Sequence, residues 1–393
     1  MTLAQGRPYL AIPGPSVMPD RVLAAMHRAA PDIYAGALHE MTASLYPDLR
    51  AVARTAHHVA IYIGNGHAAW EAANSNLFSR GDRALVLVTG QFGTSWASSV
   101  ERLGVRVDRL DFGRHAPADP ARLAEALRAD RGHEIRAVLV THVDTASTAR
   151  NDVAAIRAAI DAAGHPALLA VDCIASLACD PFEMDAWGVD VMVGASQKGL
   201  MTPPGLGFVW FNERARDRCK GSDLRTPYWD WTPRAFAEEY WQQFCGTAPT
   251  HHLYGLREAL NMLLHEEGLE AVWARHAVLA RAVWAAVTAW GQGGDIALNI
   301  ADPVARGHSV TSVRVGGAAE RLRQWCAREA GVTLGIGLGM ESADDWLRIA
   351  HMGHVNAHMT LGALSVIEAG MRALGIARGP GALDAAAAVI AAG

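Results

Sequence analysis

The chain has 393 residues, 35 basic and 40 acidic side chains, and a formal charge of −5, with 51% hydrophobic and 19% charged residues. That composition excludes a disordered chain, and the mild acidity offers no electrostatic footprint for nucleic acid or an anionic membrane. No apolar run approaches the ~18 residues of a membrane span, and the N-terminus does not read as a signal peptide. Five cysteines without a CxxC pair read as free thiols in a reducing, cytoplasmic protein. Of the 35 basic residues only Lys198 and Lys220 are lysine; the other 33 are arginine. Arginine stays protonated, whereas a buried lysine amine can lose its proton and attack a carbonyl. Lys220, in NERARDRCKGSD, reads as a solvated surface charge. Lys198, in VMVGASQKGLMTPPGLGFVWF, lies between apolar runs and draws attention.

In chain order, residues 1–20 hold Pro8, Pro13, Gly14, Pro15 and Pro19 and read as an extended N-terminal arm. Residues 21–255 alternate between short apolar runs and helical patterns. The runs Ala84–Thr89, Ala137–Thr141, Ala167–Val171, Val189–Val193 and Gly207–Phe211 read as strands. His67–Arg80, Pro120–Ala129 and Asn151–Ala163 read as helices. This alternation predicts a large α/β domain whose mostly parallel sheet is covered on both faces. The aromatic stretch Thr226–Phe244 reads as a packing or dimer surface rather than a ligand cage. A long helical pattern, Leu253–Val287, carries a break at Glu266-Glu267-Gly268. Residues 256–393 form a smaller C-terminal α+β domain, with strands at Ser309–Val315 and Trp346–Ala350. Its helices are expected at Ala319–Ala330, at Leu361–Leu374 and at the Ala-rich terminus.

Three features gather at one sheet edge. At Ile61–Trp70 a strand-like run meets Gly64-Asn65-Gly66 and then a helical pattern; this is either a plain turn or a phosphate cradle at a helix N-terminus. Asp172 ends an apolar strand, where it can cap the next segment or pair with a cationic ring nitrogen. Lys198 follows one strand–helix–strand unit later. Ligands of parallel sheets bind outside the carboxyl ends of strands. A phosphate turn, an acid and a lone buried lysine there suit pyridoxal 5′-phosphate. His142 and Asp144 lie two apart without a third ligand at metal spacing, so no metal is expected.

Across nearly the whole chain the sequence resembles the class V aminotransferases of fold type I, in the alanine/serine–glyoxylate group. The motifs are PGPS (13–16), GNGHAAWEAA (64–73), GQFG (90–93), THVDTAST (141–148), AVDCIAS (170–176), GASQKGL (194–200) and RIAHMG (348–353). The resemblance implies that Lys198 is the Schiff-base and proton-transfer lysine and Asp172 the partner of the ring nitrogen. It implies that Phe92 stacks on the ring, Ile174 packs on its other face, and Thr145 lies near its 3-hydroxyl. Gly66, His67, Ala68 and Gln197 would hold the phosphate, and Thr247 would reach the phosphate of a neighbouring subunit. Arg348 would clamp the substrate carboxylate, beside Pro15. The implied protein is a homodimer with composite sites, moving an amino group from a small amino acid to glyoxylate or pyruvate.

Three departures stand against that pattern. Phe244 occupies a place where relatives often carry Tyr. AAPDIYAGALHEM (29–41) replaces the usual loop on the substrate side. EGLEAVWARHA (267–277) and RIAHMG are similar to pyridoxamine–pyruvate aminotransferase, yet Gly335–Glu341 lacks the further Arg expected upstream of Arg348 in that relative. That activity, and a lyase on the same fold, are the alternatives.

Overall fold

The computed structural model describes residues 2–393. Twelve strands build two sheets. In the first sheet are β2 (His58–Gly64), β3 (Arg83–Val88), β4 (Arg106–Asp111), β5 (Ile135–Thr141), β6 (Leu168–Asp172), β7 (Val191–Ala195) and β8 (Gly205–Phe211), while β1 (Tyr9–Ala11) belongs to the second. The order is β2-β8-β7-β6-β5-β3-β4; β3 to β7 run parallel, and β8 and β2 close one edge antiparallel. Along β5, Val138 and Val140 enter one core and Ala137 and Leu139 the other. Because successive side chains face opposite sides, a strand buried on both faces must be apolar throughout. That is why these strands are legible as unbroken runs.

The five strands expected from such runs all form, with ends displaced by no more than two residues. The displacement at β7 has a clear cause. Asp190 N–H donates to Leu169 O at 2.9 Å, but the Leu169 N–H is taken by the Asp190 side chain, at 2.8 Å. The ladder therefore begins at Val191, and Lys198 stands three residues beyond Ala195. Besides the two-residue strand Ala297–Leu298, two strands carry no such signal. β4 is a sheet edge with half-exposed polar alternation, RVDRLD, and lacks an apolar signal. The other, β11, is VTLGI, whose glycine interrupts the pattern.

The second sheet joins β1 to β9 (Ala297–Leu298), β10 (Val310–Arg314), β11 (Val332–Ile336) and β12 (Trp346–Ala350), in the order β1-β11-β12-β10-β9. The N-terminal arm is thus partly a strand, with Tyr9–Ala11 pairing in parallel with Val332–Leu334. Beyond β1 the chain turns at Gly14 and reaches the loop after β7, where Ser16 N–H donates to Gln197 O at 2.9 Å. The helical run is also confirmed, as Thr250–Leu260, a π-helical segment Asn261–Glu267 and Leu269–Gly291. Gly268, at φ 86°, makes the break that the sequence signalled. Among the described residues no helix is long and apolar enough to cross a membrane.

The aromatic stretch packs rather than caging a ligand. Trp231 stacks on Phe211 with centroids 4.4 Å apart, and no residue of 226–244 lines the cavity described below. Its organiser is Arg234, 1% exposed, which donates to the carbonyls of Ile61, Tyr228 and Gln243 at 2.7–3.1 Å and lies over the rings of Tyr62 and Tyr228. Replacing it with Ala strands three buried carbonyls and opens a cavity. We expect Arg234→Ala to lose about 3 kcal/mol or more of stability, read as a fall in the urea midpoint. An unchanged midpoint would mean that the stretch holds its place without this residue.

Candidate active site

A cavity of about 500 Å³ lies at the carboxyl ends of β6 and β7, between the large sheet, the N-terminal arm and β11. Its lining unites ten of the residues singled out in the sequence. Pro15, Gly66, His67, Phe92 and Thr145 come from four separated motifs; Asp172, Ile174, Gln197, Lys198 and Arg348 complete the set. Ala68 lies one residue behind the lining, on the same helix. Thr247 does not reach this cavity within one chain and is exposed on the surface. Phe244 is buried in the core instead, edge-on to Tyr240 at 5.6 Å.

Each side chain is fixed by the local fold. Asp172 is the last residue of β6; its Oδ1 accepts from Ile174 N–H at 2.7 Å and its Oδ2 from Trp70 Nε1–H at 3.0 Å. Phe92 begins the helix Gln91–Arg102, whose first N–H groups, those of Phe92 and Gly93, donate to Asp144 Oδ2. Trp70 meets Phe92 edge-on at 6.3 Å. Lys198 is buried, and its Nζ donates to the carbonyl of Pro13. At Gly14, φ is +106° and an added Cβ would stand 2.7 Å from Lys198 Cε. Only glycine lets the arm cross this closely over the amine. On the far wall, Arg348 donates from Nε to Ile336 O and from Nη1 to Thr145 O, both at 2.7 Å.

Three participants were not singled out from the sequence, and Asp144 was noted there only beside His142, without a hydrogen-bonding role. Trp70 and Asp144 are a donor and an acceptor that hold Asp172 and the Phe92 turn. Arg323 lines the cavity from the second sheet's side; the sequence signals none of these, because each partner is distant in the chain. Asn65 could have been found, as a polar residue just before a helix is the standard N-cap. Its Oδ1 accepts from His67 N–H at 3.0 Å and Ala68 N–H at 3.4 Å, the donors expected to face a phosphate. His142 bonds Ser176, and Asp144 accepts backbone N–H groups, so the pair noted in the sequence serves hydrogen bonding.

The residues present suit a phosphorylated pyridine cofactor. Gln197 Oε1 is buried without a hydrogen-bond partner at the cavity wall. At Gly66 an added Cβ would stand 2.5 Å from Ile174 Cδ1, so glycine there leaves Ile174 in its place at the cavity wall. An aromatic ring, an aliphatic side chain, an acid and an amine thus share one slot with a helix N-terminus at its end.

Comparison with known proteins agrees with this geometry. Residues 8–355 match the family aminotransferase class-V. The serine–glyoxylate aminotransferase of Methylorubrum extorquens is 37% identical, over 98% of this chain and 96% of its own. The L-aspartate–glyoxylate aminotransferase of Paracoccus denitrificans is 36% identical, over 93% and 91%. The crystal structure of pyridoxamine–pyruvate aminotransferase from Mesorhizobium loti superposes with a TM-score of 0.90 at 29% identity, covering 100% of both chains. The chain belongs to the class-V aminotransferases. It is a transaminase, and its fold is fold type I.

Burial sets the charge state of the aminotransferase's cavity. Desolvation raises the Asp172 carboxyl to about 7, against the N–H donors of Ile174 and Trp70 that favour its ionised form. Desolvation lowers the Lys198 amine to about 8, helped by the positive charge of Arg348 and opposed by Asp172. Burial also pulls Arg348 down to about 10, while Asp144 draws it back up. Lys198 therefore has a neutral, nucleophilic fraction near physiological pH.

The sign of the stability effect follows. An amine at about 8 in the folded chain and 10.5 when unfolded binds fewer protons folded than unfolded between those values. Its charged form thus costs stability below pH 8, and the cost vanishes as pH rises toward 10.5. For the cofactor-free aminotransferase, Lys198→Met should gain ~1–3 kcal/mol at pH 7 and lose most of that advantage by pH 10. Urea unfolding at the two pH values measures it; an advantage independent of pH would assign the effect to packing alone.

Proposed function

We propose that the enzyme uses pyridoxal 5′-phosphate to move an amino group from a small amino acid to a small oxo acid, glyoxylate or pyruvate, in two half-reactions. The observation that carries this reading is the convergence of Lys198, Asp172 and Arg348 on one cavity at the ends of β6 and β7. When bound, the cofactor supplies an aldehyde that takes up the amino group and a ring that accepts the electron pair released at the substrate's α-carbon.

The chain's own residues do the rest. Arg348, held by Ile336 and Thr145, keeps a guanidinium nitrogen for the substrate carboxylate and so fixes which α-carbon bond faces Lys198. Lys198 would take the α-proton as a base and deliver it as an acid to the carbon that carried the cofactor's aldehyde, a task suited to an amine lowered to about 8. Asp172, oriented by Trp70 and Ile174, faces a protonated ring nitrogen; that positive charge favours its ionised form and offsets its burial. Phe92 and Ile174 flank the ring, and Thr145 stands beside its hydroxyl. Gln197, His67, Ala68 and Gly66 serve the phosphate, with Asn65 yielding the two N–H groups it holds. Pro13 and Pro15, on the arm over Lys198, wall the cavity on that side. The same arginine serves donor and acceptor in turn, so double-displacement kinetics are expected. A cytoplasmic setting is supported by the five free cysteines.

A second reading, amino transfer from unphosphorylated pyridoxamine to pyruvate, is favoured by Asn65, whose side chain already satisfies the His67 and Ala68 N–H groups. Phosphate content of the purified, cofactor-loaded protein separates the two.

The central test is a panel of amino donors against glyoxylate and pyruvate, run with the wild type and Lys198→Ala. Loss of the proton-transfer amine should lower kcat by ~10²–10⁴-fold or more and abolish covalent capture of cofactor by borohydride. Ordinary turnover by the variant would refute the assignment.

We further propose a homodimer in which Thr247 acts on the neighbouring subunit's phosphate, supported by its exposure at the surface of a single chain. Thr247→Asp sets a carboxylate against that phosphate. In a mixed dimer with Lys198→Ala, both lesions fall on one site and the other is intact. About half the normal activity should return per heterodimer, one site of a twofold pair being whole. No recovery, with subunit exchange verified by mass, would mean that Thr247 acts elsewhere.

A further inference from the structure

Arg323 has no part in the reaction as described, yet it lines the same cavity as Arg348. It projects from the helix Ala319–Ala330 toward β11, and its Nε donates to Leu334 O at 3.0 Å. Arg348 makes the equivalent bond to Ile336 O at 2.7 Å. Leu334 and Ile336 are alternate residues of one strand, so their carbonyls point the same way about 6.6 Å apart. The strand therefore acts as a ruler that sets two guanidinium groups side by side.

Neither group is saturated by protein. Arg348 spends Nε and Nη1 on backbone carbonyls. Arg323 spends Nε on Leu334 and Nη1 on Glu320, an i,i+3 neighbour half exposed to solvent. Such exposed pairs are weak and exchange readily with water or a better partner. Among the described residues, Nη2 of both arginines donates to no protein group. Arg323 is one cause, after burial, of the lowered charge preference of Arg348. Two guanidinium groups that line one cavity, both with an Nη2 unspent on protein, suit a ligand with two anionic groups.

We propose that Arg323 determines donor specificity by receiving the distal carboxylate of a dicarboxylic amino acid whose α-carboxylate is held by Arg348. The assignment rests on the amino-transfer reading above and names the substrate class of that site. A dicarboxylate offers an anionic group to each arginine, whereas the side chain of alanine leaves Arg323 unmatched. Lysine at 323 keeps the charge but not the planar fork.

The test compares L-aspartate with L-alanine as donors to glyoxylate, using the cofactor-loaded wild type, Arg323→Gln and Arg323→Lys. A charge-assisted hydrogen bond is lost in Arg323→Gln, so the ratio of kcat/KM for aspartate over alanine should fall about 10–100-fold, less in Arg323→Lys. Calorimetry with unreactive succinate and propionate gives a second measurement: succinate should bind the wild type more tightly, and Arg323→Gln should remove that advantage. Thermal melting checks that the variants fold. A wild type without preference for the dicarboxylate in either assay, or equal losses for both ligands, would overturn the proposal and leave Arg323 as a tie between helix and strand. If no donor reacts at all, the amino-transfer reading fails, while the succinate–propionate comparison still decides whether Arg323 receives a second carboxylate.

Discussion

Burying one lysine amine at the open end of a parallel sheet is the constraint around which the rest of this protein is arranged. Charged, Lys198 is costly in so dry a place, and the surrounding groups neither fully neutralise it nor leave it alone. Asp172 draws toward its protonated form and Arg348 against it, and Pro13 offers a carbonyl for the hydrogen bond. The outcome is an amine balanced between its two states. Asp172 is raised in turn, so acid and base are brought to within about a unit of each other and of neutral pH. Two groups so close in pKa exchange charge with small changes in their surroundings. A cationic ring between them would strengthen the ionised acid.

Such a balance needs rigid support, and it comes from bonds between distant parts of the chain. Trp70 Nε1–H, on the helix after β2, orients Asp172 at the end of β6. Asp144 collects the N–H groups of Phe92, Gly93 and Ala146, tying the β5 and β3 loops into one wall. Arg348 reaches from β12 to Thr145 and so links the two sheets through the site. The N-terminal arm joins β11 through β1, then crosses Lys198 at Gly14 and hydrogen-bonds to Gln197 through Ser16. A movement of either sheet must therefore disturb Arg348 and the arm over the amine together.

Around the cavity, histidines that could have been catalytic are instead neutral props. His276 and His351 are fully buried, and burial lowers each to about 3. His276 Nε2 accepts from Gly353 N–H, and His351 bridges Thr311 and the carbonyl of His308. They fix the turn after β12, two to five residues beyond Arg348, without adding charge to a site already rich in cations. Their number in the sequence carried no information about chemistry; their burial does.

The sequence by itself determined the sheet and the principal reactive groups. Strands buried on both faces must be apolar, so β3, β5, β6, β7 and β8 are legible as runs, and Asp172 and Lys198 are legible as polar residues at their ends. A composition with two lysines isolates Lys198, because its chemistry is unavailable to arginine. Tertiary structure alone decided what those groups touch. Trp70, Asp144 and Arg323 act through partners 102, 52 and 11 residues away, a relation that no local pattern encodes. The polar edge strand β4 and the glycine-interrupted β11 are invisible to an apolar-run reading, yet the second of these spaces Arg323 and Arg348 along one wall. Local periodicity reports how a segment is buried; only the folded chain reports which segments are brought together, because that choice is made by packing and hydrogen bonding over long sequence separations.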